Sequence, residues 1–346
     1  MEVIVDGLNK DLSTLSVGIA GLGLIGGSLA RRFAQAGVRT LAWNHHDTPY
    51  ADARAAGIEC VDSLEDLAMS GVDVLFLCTP LRAMEDMLDV IAPHIPPATT
   101  LSDVGSVKTR VHDAVVAAGL GRQYVGAHPM AGSEFSGFQS SSAALLDSAL
   151  WAITFDDTTD YLRYLLMARI ITDTLGNTFI GLDNATHDAA AATISHMPHV
   201  VATAMVNLLQ DSPECNVAAA LSAGSWRDMT RVALTDPDRT QAMVEENPAN
   251  VAALVREMAQ RLTDVADLLD DPDNHGLELT GFFRKADPYR RFKQAQRDGR
   301  PMDSDELTVT SRSWRHELVE SARRGERITR VRGIRAFDVQ WQHVDD

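Results

Sequence analysis

Cysteine is scarce in this chain of 346 residues: Cys60, Cys78 and Cys215 stand far apart, and none belongs to a C-x-x-C pair. That count and spacing argue against a disulfide framework and against a structural zinc site. Long apolar runs are missing too, with nothing close to the ~20 residues that span a bilayer. Met1–Asp6 is acidic and lacks the basic stretch of a secretory leader, so the expected location is cytoplasmic. Cations are the third shortage: 31 lysines and arginines against 48 aspartates and glutamates give a net charge of −17. Such a surface disfavours nucleic acid and anionic membrane as partners. It also repels small anions, so any anion site must be a local group of cations that overrides the global field.

What is present reads as a soluble globular protein, 45% hydrophobic and 23% charged, long enough for about two domains. Its most informative segment is Gly21-Leu22-Gly23-Leu24-Ile25-Gly26-Gly27. An apolar strand (Leu15–Ala20) precedes it, a helix-like stretch follows from Ser28, and a second strand (Thr40–Trp43) comes at βαβ distance. In that context G-x-G-x-x-G is a dinucleotide turn. Gly21 makes the tight turn, Gly23 admits the phosphates, and Gly26 packs helix on strand, with Leu24 and Ile25 completing the cofactor contact.

Strand and helix signals alternate as far as about residue 157. Val72–Cys78, Thr100–Val104, Tyr124–Ala127 and Trp151–Phe155 read as further strands, which predicts a doubly wound parallel sheet of the Rossmann type over residues 1–157. From 158 to 275 apolar periodicity predicts helices, at Tyr161–Leu175, Thr186–Leu209, Val217–Leu234 and Pro248–Leu269. The second is apolar on nearly all sides. A partner subunit is the expected cover, so this all-α segment is read as the dimerisation domain of a homodimer, and the resemblance described below implies that it also holds substrate. Residues 276–346 form a small α+β tail. A charged, linker-like stretch from Phe282 to Pro301 precedes a β-α-β-β pattern, read as a sheet extension bracing the helical domain.

Ligands of open parallel sheets lie beyond the carboxyl ends of the strands. Those ends here are the glycine turn, Asn44-His45-His46, Thr79-Pro80, Asp103-Val104-Gly105-Ser106-Val107-Lys108, and His128-Pro129-Met130-Ala131-Gly132-Ser133-Glu134. Asn44, His45, Thr79, Pro80 and Asp103 are accordingly cofactor candidates. An imidazole ordinarily titrates near neutral pH and suits general-base work, and His128 places one at a strand end. Arg227 and Arg231 lie four apart on a predicted helix and share a face suited to an anion. His196 and His199 also share a face, but no third ligand follows at metal spacing, so no metal site is expected.

These motifs resemble the prephenate dehydrogenase family, which includes the arogenate and cyclohexadienyl dehydrogenases of tyrosine biosynthesis. Besides the glycine turn, Asp103-x-Gly105-Ser106-Val107-Lys108 and Gly126-x-His128-Pro129-Met130-Ala131-Gly132-Ser133-Glu134 carry the likeness. So do Asn184-x-x-His187-Asp188, Ser195-His196-Met197-Pro198-His199 and Trp226-Arg227-Asp228-Met229-Thr230-Arg231. The match runs in register from about 15 to 270. The resemblance implies NAD(P)-dependent oxidative decarboxylation of prephenate or arogenate. It implies His128 and Ser106 as catalytic, and Arg231 on the substrate carboxylate. His199 and Ser133 would sit in the pocket, Arg227 would be placed to reach a neighbouring subunit, and Asp228 and Glu134 would orient the cations. His187, Asp188 and Lys108 are weaker candidates. One departure stands out: Asp236-Pro237-Asp238-Arg239-Thr240 lacks the tryptophan that family members often carry there, and Arg239 adds a cation.

The cofactor is NADP or NAD. An NAD enzyme usually ends its second strand with Asp or Glu, whereas Asn44 does not repel a 2′-phosphate, and no arginine follows it. Two other readings compete. A β-hydroxyacid dehydrogenase of the 6-phosphogluconate type needs a lysine on the helical domain, yet none lies between Lys108 and Lys285. A non-catalytic dinucleotide-binding regulator would lack the histidine or the arginine, and both are present.

Overall fold

The computed structural model describes residues 11–133, 135–270 and 275–343. The acidic N-terminus and Glu134 lie outside the described residues. Among the described residues two compact units emerge, one within 1–188 with 306–323 and 327–339, the other within 189–305 with 324–326 and 340–346.

In the first unit, β1 (Ser16–Ala20), β2 (Arg39–Trp43), β3 (Glu59–Cys60), β4 (Val74–Leu77) and β5 (Thr100–Asp103) form a parallel sheet in the order β3-β2-β1-β4-β5. The apolar runs make central strands because both faces are covered: Val17, Ile19, Val74 and Leu75 are fully buried. Helix α1 (Leu24–Gln35) packs on one face, setting Phe33 against Phe76 at 5.7 Å. Helices α2 (Tyr50–Ala55), α3 (Leu64–Met69), α4 (Met84–Ile91) and α5 (Thr109–Ala117) complete the crossovers. Ser63 caps α3 by accepting from the Asp66 N–H, the local bond that starts a helix there.

The strands after α5 depart from the parallel pattern expected of them. β6 (Gly126–Pro129) runs antiparallel to β7 (Leu150–Phe155), and both belong to a second sheet, ordered β6-β7-β8-β10-β11-β9. An isolated parallel bridge from Leu101 to Tyr124 links β5 to the approach to β6. After α6 (Tyr161–Arg169), whose first N–H groups are capped by Asp160, comes β8 (Thr178–Asp183), parallel to β7. The helix-only reading of residues 158–275 missed this strand.

The second unit is helical: α7 (Asn184–Ala191) leads into it, followed by α8 (Met197–Gln210), α9 (Cys215–Leu221), α10 (Gly224–Thr230), α11 (Pro237–Glu246) and α12 (Pro248–Asp270). α13 (His275–Arg284) and α14 (Asp287–Arg297) occupy the stretch expected to be a linker. The charges there are one face of a helix: Tyr289, Phe292 and Ala295 recur every three residues, and Ala295 is buried.

The tail forms β9 (Asp303–Thr308), α15 (Trp314–Arg323), β10 (Arg327–Val331) and β11 (Ala336–Trp341). Its β-α-β-β order is as expected. β10 pairs with β8, and Trp314 packs among Phe155, Tyr161 and Tyr164. Arg315 donates to the carbonyls of Asp156, Asp157 and Thr159. The tail strands β9, β10 and β11 therefore extend the second sheet. Among the described residues no helix is long and apolar enough to cross a membrane.

Candidate active site

The glycine turn has the shape its spacing predicts. Gly21 adopts φ +111°, and its N–H donates to the Trp43 carbonyl at 2.8 Å. A Cβ on Gly26 would lie 2.0 Å from the Gly21 carbonyl oxygen, so α1 approaches β1 as only glycine allows. A Cβ on Gly23 would meet nothing within 4 Å. No side-chain hydrogen bond caps α1 at Gly23, and the first N–H groups of a helix have no partner within it. This is a cradle that fits a pyrophosphate.

Asn44, at the end of β2, is committed to the turn itself. Its Oδ1 accepts from the Leu22 N–H at 2.8 Å, and its Nδ2 donates to the His46 carbonyl at 2.8 Å. Beside it opens a cavity of about 710 Å³ lined by Trp43, His45, His46, Asp47, Tyr50, Arg54 and Asp62. His45 is exposed, its ring edge-on to His46 at 4.5 Å. Thr79, after β4, donates its hydroxyl to the Met87 sulfur, and Pro80 is exposed.

Asp103, one of the cofactor candidates, closes β5. Its carboxylate is fully buried and taken up by Lys108 Nζ, by the Tyr124 hydroxyl at 2.7 Å and by the Gly105 N–H at 2.8 Å. Both of its carboxylate oxygens are thereby engaged at the strand end. Lys108 is fully buried as well, and its Nζ also donates to the Ala127 carbonyl at 2.8 Å. Burial pulls the Lys108 ammonium pKa down, and Asp103 pulls against that shift. Burial and the same carboxylate raise the Tyr124 phenol.

Next to Ala127 stands His128, half-buried at the β6 end. Its Nδ1 lies 3.0 Å from His187 Nε2, and His187 Nδ1 lies 2.9 Å from Asp188 Oδ1. Asp188 also receives the backbone N–H groups of Lys108 and Thr109, at 2.7 and 2.9 Å. Burial would raise its carboxyl, but these donors outweigh it and hold the pKa at about 2. Burial pushes His187 below the ordinary histidine value, against the opposing pull of Asp188. His187 and Asp188, ranked low from the sequence, thus stand directly behind His128. Their adjacency in Asn184-x-x-His187-Asp188 was the available signal. Ser106 and Ser133 are half-buried at neighbouring strand ends, and Ser133 Oγ accepts from the Phe135 N–H.

On the helical unit, Arg227 is exposed and contacts Asp228 at 3.3 Å. Arg231 is exposed too, but α10 ends at Thr230 and Arg231 opens a tighter 3₁₀ turn. The single helix expected over Val217–Leu234 is broken at Ser222-Ala223, where the backbone is extended. His199 is half-buried, bonded through Nδ1 to the Ser195 carbonyl. His196 is buried, 3.3 Å from Asn247.

Residues 29–179 match the family model "Prephenate dehydrogenase, nucleotide-binding domain", and residues 183–284 match "Prephenate dehydrogenase, dimerization domain". The glycine turn precedes the first match, and the tail follows the second. A prephenate dehydrogenase of Bacillus subtilis is 28% identical over 294 residues, covering 82% of this chain and 76% of its own length. The crystal structure of Aquifex aeolicus prephenate dehydrogenase with hydroxyphenyl propionate and NAD+ superposes with a TM-score of 0.74 at 26% identity. That match covers 82% of this chain and 99% of the other. An arogenate dehydrogenase structure from Synechocystis gives 0.69 at 26% identity, covering 80% and 98%.

Proposed function

The chain belongs to the prephenate dehydrogenase family, a family of NAD(P)-dependent dehydrogenases, and we propose that it oxidatively decarboxylates prephenate to 4-hydroxyphenylpyruvate or arogenate to tyrosine. The observation that carries this reading is His128, held at a strand end of the nucleotide-binding unit by a buried imidazole and carboxylate. Bound NAD(P)+ would supply the hydride acceptor for C4 of the cyclohexadiene ring, with its pyrophosphate on Gly21, Gly23, Leu24, Ile25 and Gly26. The residues of the chain do the rest. His128 takes the C4 hydroxyl proton and returns it as the phenol forms. Ser106 orients that hydroxyl. Arg231 holds the ring carboxylate that departs as CO₂, a bidentate task for a guanidinium. His199, Arg227 and Ser133 shape the pocket around it.

Either nicotinamide fits the reading. Asn44 spends its side chain on the glycine turn and presents no carboxylate against a 2′-phosphate. His45, His46 and Arg54 line the adjoining cavity, with Asp47 and Asp62 opposing them. The same reading makes the protein a homodimer. Of the apolar helix α8 only Ala202 is buried within one chain, while Leu208 is 76% exposed. The test is a steady-state assay of the four pairs of prephenate or arogenate with NAD or NADP, on the parent protein and on His128→Asn. Turnover of at least one pair, lost in the variant while cofactor binding persists, is expected. Near-normal turnover by His128→Asn removes it as the base.

A further inference from the structure

The hydrogen bonds behind His128 determine which of its nitrogens is basic. Asp188 can only accept, because two backbone N–H groups at the start of α5 already hold its carboxylate. The proton in the 2.9 Å contact with His187 is therefore on His187 Nδ1. His187 is 3% exposed, a setting that disfavours the charged ring, so its Nε2 carries a lone pair. The 3.0 Å contact between that Nε2 and His128 Nδ1 then needs a proton, and His128 must donate it. A neutral imidazole with Nδ1–H has its one basic lone pair on Nε2.

We propose that His187 and Asp188 are positioning residues that lock His128 in the Nδ1–H tautomer, making Nε2 the atom that accepts the substrate proton. When Nε2 is protonated, the imidazolium keeps donating through Nδ1 to His187, whose other nitrogen stays on Asp188. Among the described residues, Lys108 and Asp103 stand beside this cluster and meet in one ion pair. The Asp188 carboxylate at the far end of the relay favours the imidazolium. The kinetic consequence rests on the role proposed for His128. The tautomer itself does not.

The test is ¹⁵N NMR of histidine-labelled full-length protein without substrate, the His128 signals being those lost in His128→Asn. The expected result is a protonated Nδ1 and an unprotonated Nε2 at neutral pH. His187→Leu removes the acceptor and should release His128 into a mixture of tautomers. His187→Gln can present Oε1 in place of the lost nitrogen and should restore Nδ1–H. With a turned-over substrate in hand, His187→Leu should lower kcat on the order of a hundredfold with KM within about twofold, and His187→Gln should recover much of the loss. A proton on Nε2 in the parent protein overturns the proposal. So does a His128 tautomer indifferent to His187→Leu, or an equal kcat loss in both variants. Should the leucine variant not fold, the parent and glutamine spectra still decide. Correct tautomers with no turnover of any substrate pair would refute the proposed reaction and leave the relay standing.

Discussion

Gly23→Ala and Gly26→Ala place the same methyl group three residues apart in one turn, with opposite expected consequences. At Gly26 the new Cβ would lie 2.0 Å from the Gly21 carbonyl oxygen and 2.7 Å from Cys78 Cβ. Neither neighbour is the yielding end of a long side chain. Carbon contacts are comfortable at about 3.5–4.0 Å, so α1 must lift from the sheet by an ångström or more. Overpacking of this kind costs about 1–3 kcal/mol, here at the upper end because backbone must move. The helix propensity of alanine returns about 1 kcal/mol. A net loss of about 2 kcal/mol lowers the melting temperature of a unit this size by about 4–8 °C. At Gly23 a Cβ meets nothing within 4 Å, and φ −80° suits alanine. Stability there should hold, or rise by about 0.4–1 kcal/mol as the unfolded chain loses freedom. The methyl instead fills space that the phosphates need, so affinity for NADH and NADPH should fall about tenfold or more, some 1.4 kcal/mol per decade. Circular dichroism melts without cofactor and fluorescence titrations with each nucleotide separate the two effects. Parent-like nucleotide binding by Gly23→Ala would refute the cradle. A Gly23→Ala melt as low as that of Gly26→Ala would refute the packing argument.

Arg231→Gln should raise KM for the anionic substrate about tenfold or more, since a hydrogen bond to a charged group is worth about 1.5–3 kcal/mol, and leave cofactor affinity alone; an unchanged KM takes Arg231 out of the site. Lys108→Met strands the buried Asp103 carboxylate and should cost about 3–5 kcal/mol. Adding Asp103→Asn should recover much of that loss in urea melts, whereas additive losses would show that the pair is not coupled. His187 and Asp188 both have pKa values depressed by folding, so acid should destabilise the protein. The loss begins as pH falls below the ordinary histidine value of 6.5 and resumes between 3.8 and about 2, where Asp188 contributes up to about 2 kcal/mol. A urea midpoint that climbs on acidification contradicts this sign. Light scattering at micromolar concentration should report a dimer, and a monomer would reject the cover proposed for α8.

What could be read from the sequence was local. The glycine turn, the strands of the first sheet and the tail's β-α-β-β order announce themselves within a dozen residues each, through apolar runs and glycines. What escaped depends on partners distant in the chain. β6 and β7 look like two more parallel strands until their register pairs Gly126 with Thr154 in opposite directions. α14 reads as linker while its charges are counted without the Tyr289-Phe292-Ala295 stripe beneath them. Asp103 sits at a strand end, where ligands are expected, yet Lys108 and Tyr124, 5 and 21 residues on, claim its carboxylate. His187 is 59 residues from His128, too far for any spacing rule to join them.

Several of these long-range contacts meet at Lys108. Its side chain ties Asp103 at the end of β5 to the Ala127 carbonyl, one residue before His128. Its backbone N–H holds Asp188, the far end of the relay behind the same histidine. One fully buried residue therefore fixes His128 from the strand that carries it and from the carboxylate that supports it. A cation with no access to solvent cannot meet a substrate, but it can set the geometry of the group that does. In the Asp103-x-Gly105-Ser106-Val107-Lys108 motif, Asp103 and Lys108 thus form a buried ion pair at the strand end, and Lys108 reaches from it to the chain that carries His128.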